Sequence, residues 1–126
     1  MLKMRCLVTV WISLLIVGCG PDTIFLRSGL DTPAQHVENG QQLLQRGKLE
    51  DACREFNRAK ELNPLYVKAH VGLGIALARK GDLTGASAAM DQARRIAGNS
   101  QEIAEVRKGY EQLEKIRRRQ AAPPSN

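Results

Sequence analysis

Displaced by 34 residues, this chain of 126 residues lies on top of itself. His36, Val37, Gly40, Leu43, Gly47, Leu49, Ala52 and Ala59 are met again as His70, Val71, Gly74, Leu77, Gly81, Leu83, Ala86 and Ala93. Identities at one fixed offset mark a structural repeat. A repeat of this length is a single supersecondary unit that cannot bury its apolar face alone and must stack on a neighbour. The chain is therefore expected to fold as an all-α stack of helical hairpins.

The apolar residues agree. Leu49, Ala52, Cys53, Phe56, Ala59 and Leu62 recur at helical spacing, as do Leu83, Ala86, Met90, Ala93 and Ile96. Gly40 and Gly74 leave room for close helix crossing, and Phe56 and Met90 are expected to fill the larger gaps. Gly47 and Gly81 fall between helices, where a residue without Cβ can stop a helix in the left-handed conformation. Pro64 cannot continue a helix and disfavours helix at Asn63. Thr32-Pro33-Ala34-Gln35 reads as a capping box with proline at the first helical position. Asn99 followed by Glu102 opens a last helix, whose stripe is Ile103, Val106, Tyr110, Leu113 and Ile116. Gly109 within it is expected to weaken it by roughly 1 kcal/mol relative to alanine.

These residues resemble the tetratricopeptide repeat (TPR), whose pattern is an aromatic, Leu-Gly, an aromatic, then Ala, Phe, Ala and Pro. The first copy offers His36, Asn39-Gly40, Leu43, Ala52, Phe56, Ala59 and Pro64; the second offers His70, Leu73-Gly74, Leu77, Ala86, Met90, Ala93 and Gly98. His36 and His70 stand where the family has Trp, and Asn39 and Gly98 depart from Leu and Pro. The resemblance spans residues 33–100. It implies a short α-solenoid: one repeat over 33–66, a second over 67–100, a capping helix over 101–119 and a tail over 120–126.

The N-terminus reads as an address. Lys3 and Arg5 precede an uncharged run from Leu7 to Val17, which suits a signal-peptide core and is shorter than the roughly 20 residues of a membrane-spanning helix. The run ends in Ile16-Val17-Gly18-Cys19, which resembles the bacterial lipobox. That resemblance implies cleavage after residue 18 and lipid attachment at Cys19, the only cofactor-like group expected. Two or more acyl chains give stable anchoring where one does not. The alternative is an ordinary cleaved signal or an uncleaved anchor, with Cys19 incidental. Gly20 favours the outer membrane in a two-membrane bacterium, with the protein on the periplasmic side. Residues 19–32 would form the lipidated tether. Within it, Ile24-Phe25-Leu26 and Leu30 are apolar enough to fold over the first repeat and cover Val37 and Leu44, or to cover another subunit or partner; the alternative is a flexible linker whose apolar residues rest on the membrane.

Loss of residues 1–18 removes Lys3 and Arg5 and lowers the formal charge from +6 to +4. It also removes Trp11, leaving Phe25, Phe56, Tyr66 and Tyr110 as the aromatic residues, too few for a base-stacking platform, so no nucleic-acid partner is expected. Cys53 stands alone on an apolar helix face and reads as a small buried hydrophobe. His36 and His70 lack acidic or thiol partners in the sequence pattern, so no metal site is expected. There is no H-E-x-x-H, C-x-x-C, G-x-S-x-G or phosphate-loop motif, and no catalytic residues are assigned. Lys115, Arg117, Arg118 and Arg119 form a basic end to the last helix, favourable to the helix dipole; attraction to anionic headgroups, cell-wall polymers or an acidic partner is the functional alternative.

In the family, the first helix of each pair lines a concave groove for a peptide or helix. By position, the candidate groove here comprises Val37, Gln41, Leu44, Gln45, Lys68, Val71, Ile75 and Arg79. It is expected to have an apolar floor and positive charge toward the second repeat. The carboxylate-gripping residues of chaperone-binding members are not matched at Val37, Gln41 and Gly72; only Lys68 is suggestive. The expected role is non-enzymatic: an adaptor or pilotin-like assembly factor for a cell-envelope protein, similar in class to small repeat lipoproteins of pilus, secretion and outer-membrane assembly systems. The alternative is a self-associating structural lipoprotein whose groove is unused.

Overall fold

The computed structural model describes residues 31–122. Among them are five helices: α1 (Pro33–Gln45), α2 (Leu49–Leu62), α3 (Val67–Lys80), α4 (Leu83–Ile96) and α5 (Ser100–Ala121). They form a short α-solenoid of helical repeats, with α1–α2 and α3–α4 as hairpins and α5 following. The lipobox, Cys19 and the apolar segment Ile24 to Leu30 lie outside the described residues.

Local chemistry sets the helix ends. The Thr32 side chain accepts from Gln35 N at 3.2 Å, with Pro33 at the first helical position. Gly47 (φ 73°) and Gly81 (φ 95°) take the left-handed conformation between the helices of each pair. Around them the same pattern of bonds occurs twice: Lys48 N donates to Leu43 O at 2.9 Å, and Asp82 N donates to Leu77 O at 3.0 Å. α2 ends at Leu62, ahead of Pro64. Asn99 caps α5 by accepting from Glu102 N at 2.9 Å. Glu102 Oε2 in turn accepts from Gly98 N at 2.8 Å, one residue earlier than a capping box would place it.

Two buried clusters follow the two repeats. One surrounds Phe56 and takes in Val37, Leu44, Leu73 and Ala89; the other surrounds Met90 and takes in Val71, Ala86, Val106 and Leu113. Phe56 and Met90 are the largest fully enclosed side chains, and each burial contributes about 1.5–3 kcal/mol. Ile75 and Leu77 pack against both clusters and join them.

Three expectations change. Val37 and Leu44 belong to the buried Phe56 cluster, so they are no exposed face waiting to be covered. Gly109 is a point of close packing: a Cβ there would lie 2.9 Å from Val71 Cγ1 and 3.0 Å from Met90 Sδ. Ile103 is 59% exposed, because the stripe of α5 turns out of the core before it reaches its N-terminal end.

Candidate functional site

Across the boundary between repeats α3 packs more on α2 than on α1, whereas α5 packs chiefly on α3 and less on α4. The last helix is thereby drawn across the concave side, where Gly109 admits it against Val71. Gln120 Nε2 fastens its far end by donating to Ala78 O at 2.8 Å. The result is a cleft of about 270 Å³ bounded by α1, α3 and α5.

Helical spacing assembles its walls. Gln41, Leu44 and Gln45 lie at i, i+3 and i+4 on α1; Lys68, Val71, Gly72, Ile75 and Arg79 share one face of α3; Glu105 and Gln112 lie two turns apart on α5. Seven of the eight groove positions expected from the sequence thus meet in one cleft. Val37 does not: it is turned into the Phe56 cluster. Val71 and Leu44 border the cleft from below as buried side chains, so they offer less apolar surface than expected.

The charge pattern also differs from expectation. Arg79 Nη1 donates to Leu44 O at 2.9 Å, a carbonyl at the α1 C-terminus that also accepts from Gly47 N and where the helix dipole favours a cation. Its guanidinium therefore ties α3 to α1. Lys68 shares the cleft with Glu105, so a positive wall is met by a negative one. Both also border an adjoining cleft of about 220 Å³ with Tyr66, Asn99 and Glu102. The same cleft is lined by three side-chain amides, Gln41, Gln45 and Gln112, each able to donate and accept. Such a lining can hold a polypeptide backbone.

Gly72, Glu105 and Gln112 were not legible as groove residues. The available signal was Gly109, since an isolated glycine within a helical pattern often marks a close approach. On the opposite side of α5, Ile103, Val106 and Tyr110 line an outer cleft of about 410 Å³ with Arg94, Ala97 and Arg107. Tyr110 OH donates to Asp91 Oδ1 at 2.6 Å there.

The reactive side chains lie elsewhere. Cys53 is buried, and that burial raises its thiol pKa, which leaves it protonated and unreactive. His70 is buried, which lowers its pKa, and its Nε2 donates to Pro64 O at 2.8 Å. Among the described residues no group of His, Cys, Asp and Glu is placed to hold a metal ion, and no helix is long and apolar enough to cross a membrane.

Residues 40–81 match the family model described as TPR repeat. The match begins at Gly40 in α1 and ends at Gly81 after α3. No curated protein and no solved structure matches the chain significantly.

Proposed function

We infer that this chain, a tetratricopeptide-repeat protein, is an adaptor of the bacterial cell envelope, held to a membrane through lipid on Cys19, that takes an extended segment of an envelope protein into its concave cleft. Repeats of this family bind protein partners and are in general non-catalytic scaffolds. The carrying observation is the convergence of Gln41 and Gln45 of α1 and Gln112 of α5 on one cleft. Their amides can serve both the N–H and the C=O groups of an extended backbone. With Lys68 opposed by Glu105 and Arg79 engaged at Leu44 O, the segment received carries no large net charge.

The anchor rests on sequence: Lys3 and Arg5, the run Leu7 to Val17, and Ile16-Val17-Gly18-Cys19. In a two-membrane bacterium, Gly20 favours the periplasmic face of the outer membrane over the inner. A fatty-acid label fed to cells marks the wild type and not Cys19→Ala; equal labelling of both removes the anchor from this reading.

A photo-crosslinking residue at Gln45 tests the cleft. It joins one envelope protein, whereas the same group at exposed Thr84 of α4 does not. Identical products from both positions overturn the cleft as the docking site. The second reading, self-association, draws on exposed Ile103 and the outer cleft. A dimeric mass in solution that Ile103→Asp reduces to a monomer favours it.

A further inference from the structure

His36 and His70 occupy the same place in the two repeats, but their rings meet different partners. His70 Nε2 donates to a backbone carbonyl. His36 lies between two carboxylates, with Nδ1 2.7 Å from Glu55 Oε2 and Nε2 2.8 Å from Asp31 Oδ1. Ionised carboxylates only accept hydrogen bonds, so both ring nitrogens must carry protons to make these two contacts. The arrangement belongs to the first repeat alone: a shift of 34 residues replaces Asp31 and Glu55 with Leu65 and Ala89.

The surroundings distinguish the two contacts. Glu55 is carried on α2 and also accepts from Asn39 Nδ2 at 3.4 Å. Asp31 precedes α1, and its other oxygen accepts from Arg58 Nη2 of α2 at 2.9 Å. Arg58 reaches Glu61 with its second arm at 3.1 Å. The charged groups acting on the His36 ring are Asp31 and Glu55; no charged group of α3 or α4 acts on it.

We propose that Asp31, His36 and Glu55 form a proton-operated latch, which fastens the chain leading into α1 to the first hairpin while His36 is protonated and opens at Asp31 when that proton leaves. A neutral imidazole has one N–H, so its bare nitrogen would face a carboxylate oxygen at hydrogen-bond distance. Asp31 is the contact that opens, because it lies outside the helices and Glu55 does not. Burial works against the charged ring, but the bonds to Asp31 and Glu55 outweigh it and raise the pKa of His36. The latch is therefore closed in mild acid and opens as the pH rises past that raised value. Asp31 leads into α1, so the latch decides whether that junction is held to the His36 ring of α1 or by Arg58 of α2 alone, whose bond to Asp31 Oδ2 does not depend on the proton.

Nuclear magnetic resonance of the full chain tests this, since His36 and His70 are its only histidines. His70→Gln assigns the two ring signals. His36 should titrate above the ordinary histidine value, and both Asp31→Asn and Glu55→Gln should move it downward. Amide exchange at Gln35 and His36, corrected for its intrinsic pH dependence, should quicken severalfold through the same titration. Arg58→Gln should enlarge that response by leaving Asp31 to His36 alone. Asp31, Glu55 and Arg58 are all partly exposed, so the fold survives these three changes; His70 is buried, and His70→Gln serves for assignment alone. Titration of His36 at or below the ordinary value, no movement on Asp31→Asn, or protection at Gln35 and His36 that ignores pH would each overturn the latch.

Discussion

The ring of Phe56 occupies the space that a side chain on Gly72 would need: a Cβ at Gly72 would lie 2.6 Å from Phe56 Cδ1 and 2.6 Å from Cζ. The same ring closes on Gly40, where a Cβ would lie 2.8 Å from Cζ. One aromatic residue on α2 thus sets how closely α1 and α3 approach it.

Gly72→Ala should therefore destabilise the protein although alanine is the better helix former. The helix gains about 1 kcal/mol, but a fully enclosed ring has nowhere to move, and overpacking costs about 1–3 kcal/mol. Denaturant unfolding should show a net loss. Phe56→Leu in the same chain should make the two changes less costly together than their sum. Simple additivity would mean that the ring is not what Gly72 accommodates.

Gly109→Ala separates a local from a tertiary effect. Helix propensity alone predicts a gain of about 1 kcal/mol. The added carbon instead meets branched Val71 Cγ1 and Met90 Sδ beneath α5. The melting temperature should fall, and Val71→Ala should restore part of the loss. A higher melting temperature for Gly109→Ala would place α5 further from α3 than described.

The two histidines should give opposite pH dependences. The pKa of His36 is raised, so its stabilisation is complete below the unfolded value of about 6.5 and is lost as pH rises through the folded value. The pKa of His70 is lowered, chiefly by burial, so the native state disfavours the charged ring and stability is lost as pH falls below about 6.5. Unfolding free energies measured across this range should flatten on the alkaline side in His36→Gln. In His70→Gln they should flatten on the acidic side. The same slope in wild type and both variants would contradict these assignments.

Within the groove, stability and binding should be carried by different residues. Ile75 packs against both buried clusters, so Ile75→Glu should lower the melting temperature and is a poor probe of docking. Lys68 and Gln45 are exposed at the cleft. Lys68→Glu and Gln45→Ala should leave thermal unfolding within about 0.5 kcal/mol of the wild type while weakening capture of the protein joined at Gln45. Circular dichroism alongside a pull-down of that protein checks both halves.

The sequence alone determined what depends on near neighbours in the chain. Periodicity located the helices and the faces that hold Phe56 and Met90, and Gly47 and Gly81 placed the turns, because turn conformation and helix amphipathicity are local properties. Tertiary structure decided what each face meets. The apolar stripe of α5 does not say which helix it lies against; Gly109 let it approach Val71, which brought Glu105 and Gln112 into the cleft and left Ile103 outside. Val37 shares its repeat position with Val71 and was read as groove, yet it is buried with Phe56. His36 and His70 share a repeat position, and the groups that meet their rings distinguish them: Asp31 and, across the hairpin, Glu55 around one ring, Pro64 O beside the other. A repeat makes local structure alike in each copy, whereas the ends of a short solenoid have different neighbours, and those contacts set burial, charge and the shape of the cleft.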